Sequence, residues 1–416
     1  MLLPAAPETT FSRDQQHQFF QNTDLFYLTG FGEPSSALFL SNARSGPRSV
    51  LFVSERNKQV ERWTGERLGT KRAKRRFKVD EVFSIADLRK ELPALLAPHQ
   101  QLYFSAGVDP SVDRLVWSLF SSSVNPRRDV PHTIIDARLP LSGLRLKKDR
   151  DEIRTIAHAV DITAHAMLKL ISELKHLGSE LHAAKQLEAN FVELGATGPA
   201  FETIVASGKN ATVLHHHPSH QPLLKRELVL IDCGARFNGY AGDITRVVPI
   251  SGSFSPAQAD VYDVVAAAVE AVIARVKPGT TLESLHKTSV RELSKGLFDL
   301  GVLSGGVDTA VKKRKYASYF MHRTGHFLGL DVHDVSPPGP TKDGSFLPEK
   351  EIKLEEGFVF TVEPGLYFDQ KDSDIPKDLR GIGIRLEQDV LVTKDGCKVL
   401  SETIPLKRSE FEQILG

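Results

Sequence analysis

Apolar positions fall in short blocks over the first third of the chain and in long helical stripes after residue 150. SALFLS, RSVLFVS and QLYFSAG are rich in Leu, Phe and Val and bounded by Ser, Gly and Pro, which predicts short strands. Between them SIADLRKELPALLAP has helical spacing behind a candidate cap at Ser84, with Pro93 expected to interrupt it. Around DARLPLSGLRLKKDRDE the apolar pattern lapses and charge rises, placing a boundary near Gly143. Residues 1–143 are therefore expected to form a smaller α/β domain, and 144–416 a larger, catalytic one. In the latter, Ile153, Ile156, Ala157, Val160, Ala164, Met167, Leu168 and Ile171 keep the 3-4 spacing of one buried helix face, with Gly178 as the stop. SELHAAKQLEANFVELGATG predicts a second helix and FSPAQADVYDVVAAAVEAVIARVKPG a third, capped by Ser255 with Pro256 in its first turn. TTLESLHKTSVRELSKGLFDLG predicts a fourth. Strand-rich blocks follow each helix pair, the second being GFVFTVEPGLYF and GIGIRLEQDVLVT. Helix-helix-strands thus occurs twice, which predicts two similar halves around one sheet in an α/β (α+β) protein.

The first strand block, LVLIDCGARFNGYAGDITRVV, sets Asp232 and Asp243 in an apolar run on either side of Asn238-Gly239. A two-residue turn at Asn238-Gly239 pairs residues whose numbers sum to 477, so Asp232 faces Thr245 and Asp243 faces Gly234. Side chains alternate with period 2, which puts both aspartates on one face as diagonal neighbours roughly 7–8 Å apart. Two adjacent buried carboxylates are costly unless a cation sits between them.

Other polar positions point the same way. In GIGIRLEQDVLV, Arg385, Glu387 and Asp389 alternate with Ile384 and Leu386, giving a polar stripe centred on Glu387. Glu363 stands in an apolar, aromatic run just before a Pro-Gly break, and His322, His326 and His333 lie among glycines in FMHRTGHFLGLDVHD. Two Asp, two Glu and one His make an oxygen-dominated set suited to Mn2+, Zn2+, Co2+ or Fe2+. That is enough for two ions roughly 3.5–4 Å apart, the arrangement that activates a bridging water for hydrolysis.

Composition narrows the class. The chain is 41% hydrophobic and 25% charged with a net charge of +1, which gives no cause to expect nucleic acid or an anionic membrane as partner. KRAKRRFK, Lys71 to Lys78, is expected to be a solvated basic face, with polyanion binding as the alternative. Two cysteines, Cys233 and Cys397, cannot form a disulfide framework, and the start MLLPAAPETTFSRD lacks a basic n-region. A cytoplasmic protein is expected.

IDCGARFNGYAGDITR, GHFLGLDVHD, TVEPGLYF and GIGIRLEQDVLV together resemble the motifs of the pita-bread metallopeptidases, closest to the aminopeptidase P (Xaa-Pro aminopeptidase) family, with prolidase as the near relative. QNTDLFYLTGFGEPSSALFL and WTGERLG resemble that family's N-terminal domain, and ETIVASGKNATVLHH the segment before its first metal ligand. The resemblance implies a curved antiparallel sheet and a dinuclear site, Mn2+ first, with Zn2+ or Co2+ as alternatives. Asp232 would bind one metal, His326 and Glu363 the other, and Asp243 and Glu387 would bridge them. Glu363 would also orient or deprotonate the bridging water, His215 and His333 would stabilise the oxyanion and leaving group, and Arg385 would hold the ligand carboxylates. His322 and Tyr367 would line a proline pocket, and Trp63 would be either core or substrate rim. Asp24 would reach a neighbouring subunit's site in a homodimer or homotetramer. His216, His217 and His220 are expected to be bystanders, and Cys233 to pack away from the ligands.

One departure stands out: HRTGH puts the bulky Arg323 where bacterial members of the family more often carry a Gly-x-Ser arrangement, which leaves subsite preference open. The expected activity is removal of an N-terminal residue preceding proline by a metal-bridging hydroxide. The alternatives are an Xaa-Pro dipeptidase and, in another class, a non-catalytic pita-bread binding module. A metal-free amidinohydrolase of the same fold is disfavoured by the intact five-ligand set.

Overall fold

Alternating apolar residues give the N-terminal strands two buried faces, and the strands assemble accordingly. In the computed structural model, which describes residues 1–121, 130–335 and 351–415, the chain divides into two compact units, Met1–Ser142 and Gly143–Gly416. The first holds a mixed six-stranded sheet in the order Glu81–Ser84, Ser49–Val53, Ala37–Leu40, Leu2–Pro4, Gln101–Phe104, Thr133–Asp136. Leu2, Phe39, Phe52 and Phe104 pack on one side of it, Leu3, Leu38, Leu51 and Val53 on the other.

The helix Leu88–Leu96 runs through Pro93 instead of stopping there. Leu88, Leu92 and Leu96 are all buried along it, and that stripe outweighs the one backbone hydrogen bond proline forfeits. The basic run forms the helix Gly69–Arg76, whose buried residues are Gly69 and Ala73. Its cations face solvent, and Arg72 pairs with Glu66 at 2.9 Å. The rest of that run therefore reads as a solvated face.

In the second unit α1 (Arg150–Glu173) begins with a capping box between Asp149 and Glu152. Its buried face is broader than the predicted stripe, adding Ala159, Ile162, Thr163, Ala166 and Leu170. The helix ends at a 3-10 turn, Leu174–His176, just short of Gly178. Helix α2 (Glu180–Glu193), capped by Ser179, leads to strands β1 (Ile204–Ser207), β2 (Leu228–Cys233) and β3 (Ile244–Pro249). They form an antiparallel sheet in the order β3-β2-β1. Helices α3 (Pro256–Ile273), with a Ser255–Gln258 capping box, and α4 (Leu282–Asp299) open the second half.

Its strands are β4 (Val359–Val362), β5 (Gly365–Tyr367), β6 (Gly383–Arg385), β7 (Gln388–Val392) and β8 (Cys397–Val399). β4, β7 and β8 pair as one sheet and β5 with β6 as another. The two predicted strands are thus four, because the ladder breaks at Glu363-Pro364 and at Leu386-Glu387. Apolar residues from both halves, among them Leu230, Val247, Val265, Leu293, Phe360 and Val390, fill one core. Among the described residues no helix is long and apolar enough to cross a membrane.

Candidate metal centre

The β2–β3 hairpin has the register that the Asn238-Gly239 turn dictates. Asp232 pairs with Thr245 and Cys233 with Ile244, and the tip pairs Phe237 with Tyr240. Asn238 and Gly239 have φ of +48° and +89°, the left-handed pair of a two-residue turn. Asp232 is the penultimate residue of β2, and Asp243 immediately precedes β3. The second half repeats the arrangement, with Glu363 just after β4 and Glu387 just before β7. Asp243, Glu363 and Glu387 therefore each sit just beyond the end of a strand, while Asp232 stays in the ladder one residue before the end of β2.

His326 is fixed from two sides. Its backbone bonds Thr361 on β4, with Thr361 N donating to His326 O at 2.8 Å. A Cβ on the preceding Gly325 would stand 1.8 Å from Thr361 O, so this close approach requires glycine. With Nδ1 3.1 Å from Phe327 O and donating to it, Nε2 is left with its lone pair. That nitrogen lies 3.5 Å from Asp243 Oδ2 and 3.6 Å from Glu363 Oε1. Loss of water around the ring and the nearby His333 push its pKa down to about 4, so at neutral pH the imidazole is uncharged. Asp243, His326 and Glu387 place ligating atoms within 4.8 Å of one another.

The carboxylates repel each other. Burial, then Glu387 and Asp232, push Asp243 well up; burial and Glu387 do the same to Glu363. Glu387 is raised to about 7, by burial and by Asp232. Arg385 is the cation that faces them. Its Nη2 donates to Asp232 Oδ2 at 2.5 Å, Nη1 to the Tyr367 hydroxyl at 3.0 Å and Nε to Thr245 Oγ1 at 3.2 Å. Thr245 Oγ1 in turn donates to Glu387 Oε2 at 2.7 Å. Burial works against the charge on Arg385, but Tyr367, Asp232 and Glu363 more than offset it and push its pKa up.

One oxygen of the set, Asp232 Oδ1, is buried without a hydrogen-bond partner. An orphaned carboxylate oxygen among three protonation-prone carboxylates and a neutral imidazole fits hard or borderline divalent cations.

Other predicted residues take different positions. Neutral His322, its pKa lowered to about 3 mainly by burial, has Nε2 2.8 Å from the Tyr367 hydroxyl and packs edge-on to Phe320. His333 is exposed, its ring 4.2 Å from that of His326. His215 is exposed on the β1–β2 loop, close enough to help depress His322. Arg323 turns to α4, donating from Nη2 to Glu283 Oε2 at 3.0 Å. Trp63 and Asp24 belong to the N-terminal unit. Trp63 is 90% exposed and so is not core, whereas Asp24 is buried in the first turn of the helix Thr23–Thr29. Cys233 is fully buried in the hydrophobic layer beneath β2.

Sequence reasoning missed three supports. Asp389 Oδ2 accepts from Asp243 N at 3.0 Å, tying the two hairpins together, and its place on the Glu387 stripe was the available signal. Asp334, next to His333, is gripped by Arg145 and Lys148 at 2.7 and 2.8 Å. Glu180, which no sequence pattern singles out, is buried with its Oε2 2.9 Å from His216 Nε2.

Residues 154–394 match the model of metallopeptidase family M24, and residues 1–103 that of the aminopeptidase P N-terminal domain. The chain is 36% identical to the Xaa-Pro aminopeptidase of Haemophilus influenzae, an alignment covering 100% of this chain and 93% of that protein. In structure it is similar to Pseudomonas aeruginosa aminopeptidase PepP, with a TM-score of 0.92 and 35% identity over 100% of this chain and 93% of the other. The same figures describe its likeness to a zinc-substituted Escherichia coli aminopeptidase P in complex with product. The pita-bread architecture with a separate N-terminal domain, expected from the motifs, is the architecture these likenesses carry.

Proposed function

The chain belongs to metallopeptidase family M24, and on that premise we propose that it is a dinuclear metal-dependent Xaa-Pro aminopeptidase. The observation that carries the reading is that Asp243, His326 and Glu387 place possible ligand atoms within 4.8 Å of one another, with Glu363 3.6 Å from the same neutral imidazole and an unpartnered oxygen on the neighbouring Asp232. Asp232 would hold one ion, His326 and Glu363 the other, and Asp243 and Glu387 would bridge the pair, with Mn2+ ahead of Zn2+ or Co2+. Bound divalent ions supply Lewis-acid polarisation of the scissile carbonyl and make the attacking water more acidic.

The side chains do the rest. Glu363 orients the water and takes its proton on a carboxylate oxygen. His215 and His333 donate ring N–H groups to the carbonyl oxygen as it gains charge and to the departing nitrogen. Both are exposed, where an incoming peptide can reach them and exclude water. Arg385 keeps Asp232 oriented and Tyr367 in place. His322 and Tyr367 line the pocket for a proline ring, and Trp63 and Asp24 are proposed substrate-binding residues. The bond to proline lacks an N–H and fixes φ, so a dedicated pocket gives the specificity.

A cytoplasmic setting and a homodimer or homotetramer belong to the same reading. Cys233 and Cys397 are both free thiols, and light scattering measures the assembly. The deciding assay compares Xaa-Pro dipeptides, Xaa-Pro-Yaa tripeptides, longer Xaa-Pro peptides and Xaa-Ala controls, on chelated and metal-reconstituted protein. Metal-dependent cleavage of tripeptides and longer peptides is expected. Activity confined to dipeptides makes the chain a prolidase, and none with any metal makes it a binding module.

A further inference from the structure

Among the described residues of the catalytic unit, the most heavily bonded carboxylate is not one of the proposed ligands. Glu180, the first residue of α2, is fully buried. Its Oε1 accepts from Ser207 N at 2.8 Å, Ser207 Oγ at 3.0 Å and Asn210 Nδ2 at 2.8 Å. Its Oε2 lies 2.9 Å from His216 Nε2 and accepts from Ser219 N at 3.2 Å and Ser219 Oγ at 2.9 Å. Six donors fill the two oxygens, two from Ser207 at the end of β1 and four from the β1–β2 loop. Three precede His215 and three follow it, so one carboxylate gathers the two flanks of the loop that carries this histidine.

The backbone reinforces the closure. Glu180 N donates to Gln221 O at 3.1 Å and Leu181 N to Ser219 O at 2.9 Å. Isolated burial of this carboxylate would be unfavourable, and the full set of donors makes it tolerable. His215 is itself exposed, whereas its chain neighbour His216 is half-buried and held by the carboxylate. His215 and the tethered His216 are chain neighbours, so a shift of His216 moves the backbone from which the His215 side chain leaves.

We infer that Glu180 is the positioning residue of His215, holding the imidazole where it can meet the substrate carbonyl. The inference rests on the proposed role of His215 as an oxyanion donor. Misplacing a catalytic group by about 1 Å lowers turnover roughly 100-fold without removing any group that binds substrate. Glu180→Gln is nearly isosteric, but its amide NH2 must face three donors that now meet an oxygen, so the loop has to shift.

The test is a kinetic cycle on the metal-reconstituted enzyme, with Glu180→Gln, His215→Ala and the double variant, read as kcat and KM on an Xaa-Pro peptide. Glu180→Gln should lower kcat by about 10- to 100-fold with KM within about two-fold of the parent and the metal content unchanged. In the His215→Ala background the same substitution should have no further effect on kcat. If Glu180→Gln does not fold, Asn210→Ala/Ser219→Ala removes two donors while keeping the carboxylate, and the same cycle applies. Unchanged kcat in the Glu180 or Asn210/Ser219 variants, while His215→Ala is impaired, overturns the inference and leaves the role of His215 standing. Equal losses with and without His215 also overturn it, since they mean Glu180 acts elsewhere. Parental kcat in His215→Ala removes both the role of His215 and the inference built on it.

Discussion

Two of the places where the catalytic unit buries carboxylates do so on opposite terms. Asp334 has its cations built in, with Arg145 Nη2 at 2.7 Å and Lys148 Nζ at 2.8 Å, and both the Asp334 and Lys148 side chains are 1% exposed. Burial would raise its pKa, but Lys148 and Arg145 override that and hold it below the usual carboxylate range. Asp243, Glu363 and Glu387 crowd around Asp232 with Arg385 as the facing cation, and all three are pushed up. The first group is electrically complete, its carboxylate paired with two built-in cations. The second is short of positive charge, and a cluster short of positive charge is one that cations from solution can complete.

The largest effect expected from breaking this contrast is catalytic. Glu363→Gln should lower kcat on the order of 10²- to 10⁴-fold while the melting temperature of the metal-free protein holds or rises, because one repelling charge is gone. Steady-state kinetics beside calorimetry checks both halves, and near-parental kcat would remove Glu363 from the handling of water.

Next comes the complete group. Lys148→Met leaves Asp334 with half its neutralising charge and should cost about 3 kcal/mol of stability, the low end for breaking a buried pair because Arg145 stays. Urea denaturation measures it, and a loss under about 1 kcal/mol would erase the distinction between the two sites. Arg385→Lys keeps the charge but loses the fork that joins Asp232, Tyr367 and Thr245. Metal affinity, measured by competition with a chromophoric chelator, should fall about 10- to 100-fold.

The smallest effect is expected at Arg323, whose half-exposed pair with Glu283 contributes at most about 1 kcal/mol. Arg323→Ala should leave stability and kcat nearly unchanged. A many-fold rise in KM on longer peptides would show instead that the guanidinium leaves Glu283 to contact substrate.

Much of the charge-deficient site is legible in the sequence because it follows local rules. A two-residue Asn-Gly turn dictates a register, and the register dictates that Asp232 and Asp243 share a face. The second hairpin is less legible. Its apolar run continues through Glu363 and Leu386, and nothing periodic announces that the ladder stops at each glutamate. The complete site and the Glu180 hub are not legible at all. Lys148 and Asp334 are 186 positions apart, and the donors to Glu180 are backbone amides and small side chains with no pattern of their own. Pro93 was misjudged for a related reason: packing of Leu88, Leu92 and Leu96 in three dimensions overrides a local signal.

The central claim is that the upward-shifted carboxylates await cations, and it has a direct thermodynamic test. In the metal-free fold Asp243, Glu363 and Glu387 bind protons more tightly than in the unfolded chain, where a glutamate titrates near ~4.3. Their contribution to stability is therefore fully present below that value and is lost as pH rises through the folded pKa, about 7 for Glu387. Asp334 works the other way, its contribution lost only as pH falls below the ordinary carboxylate range. The buried histidines begin to oppose the cluster only below about 6.5, where they protonate in the unfolded chain. The measurement is calorimetric titration of chelator-treated protein with Mn2+ near pH 6.5, in buffers of different ionisation enthalpy, alongside metal-free melting at pH 6.5 and 8.5. The prediction is two ions bound per chain with net proton release, and a metal-free protein that melts higher at pH 6.5 than at pH 8.5. Binding without proton release, with metal-free melting no higher at the lower pH, would contradict it.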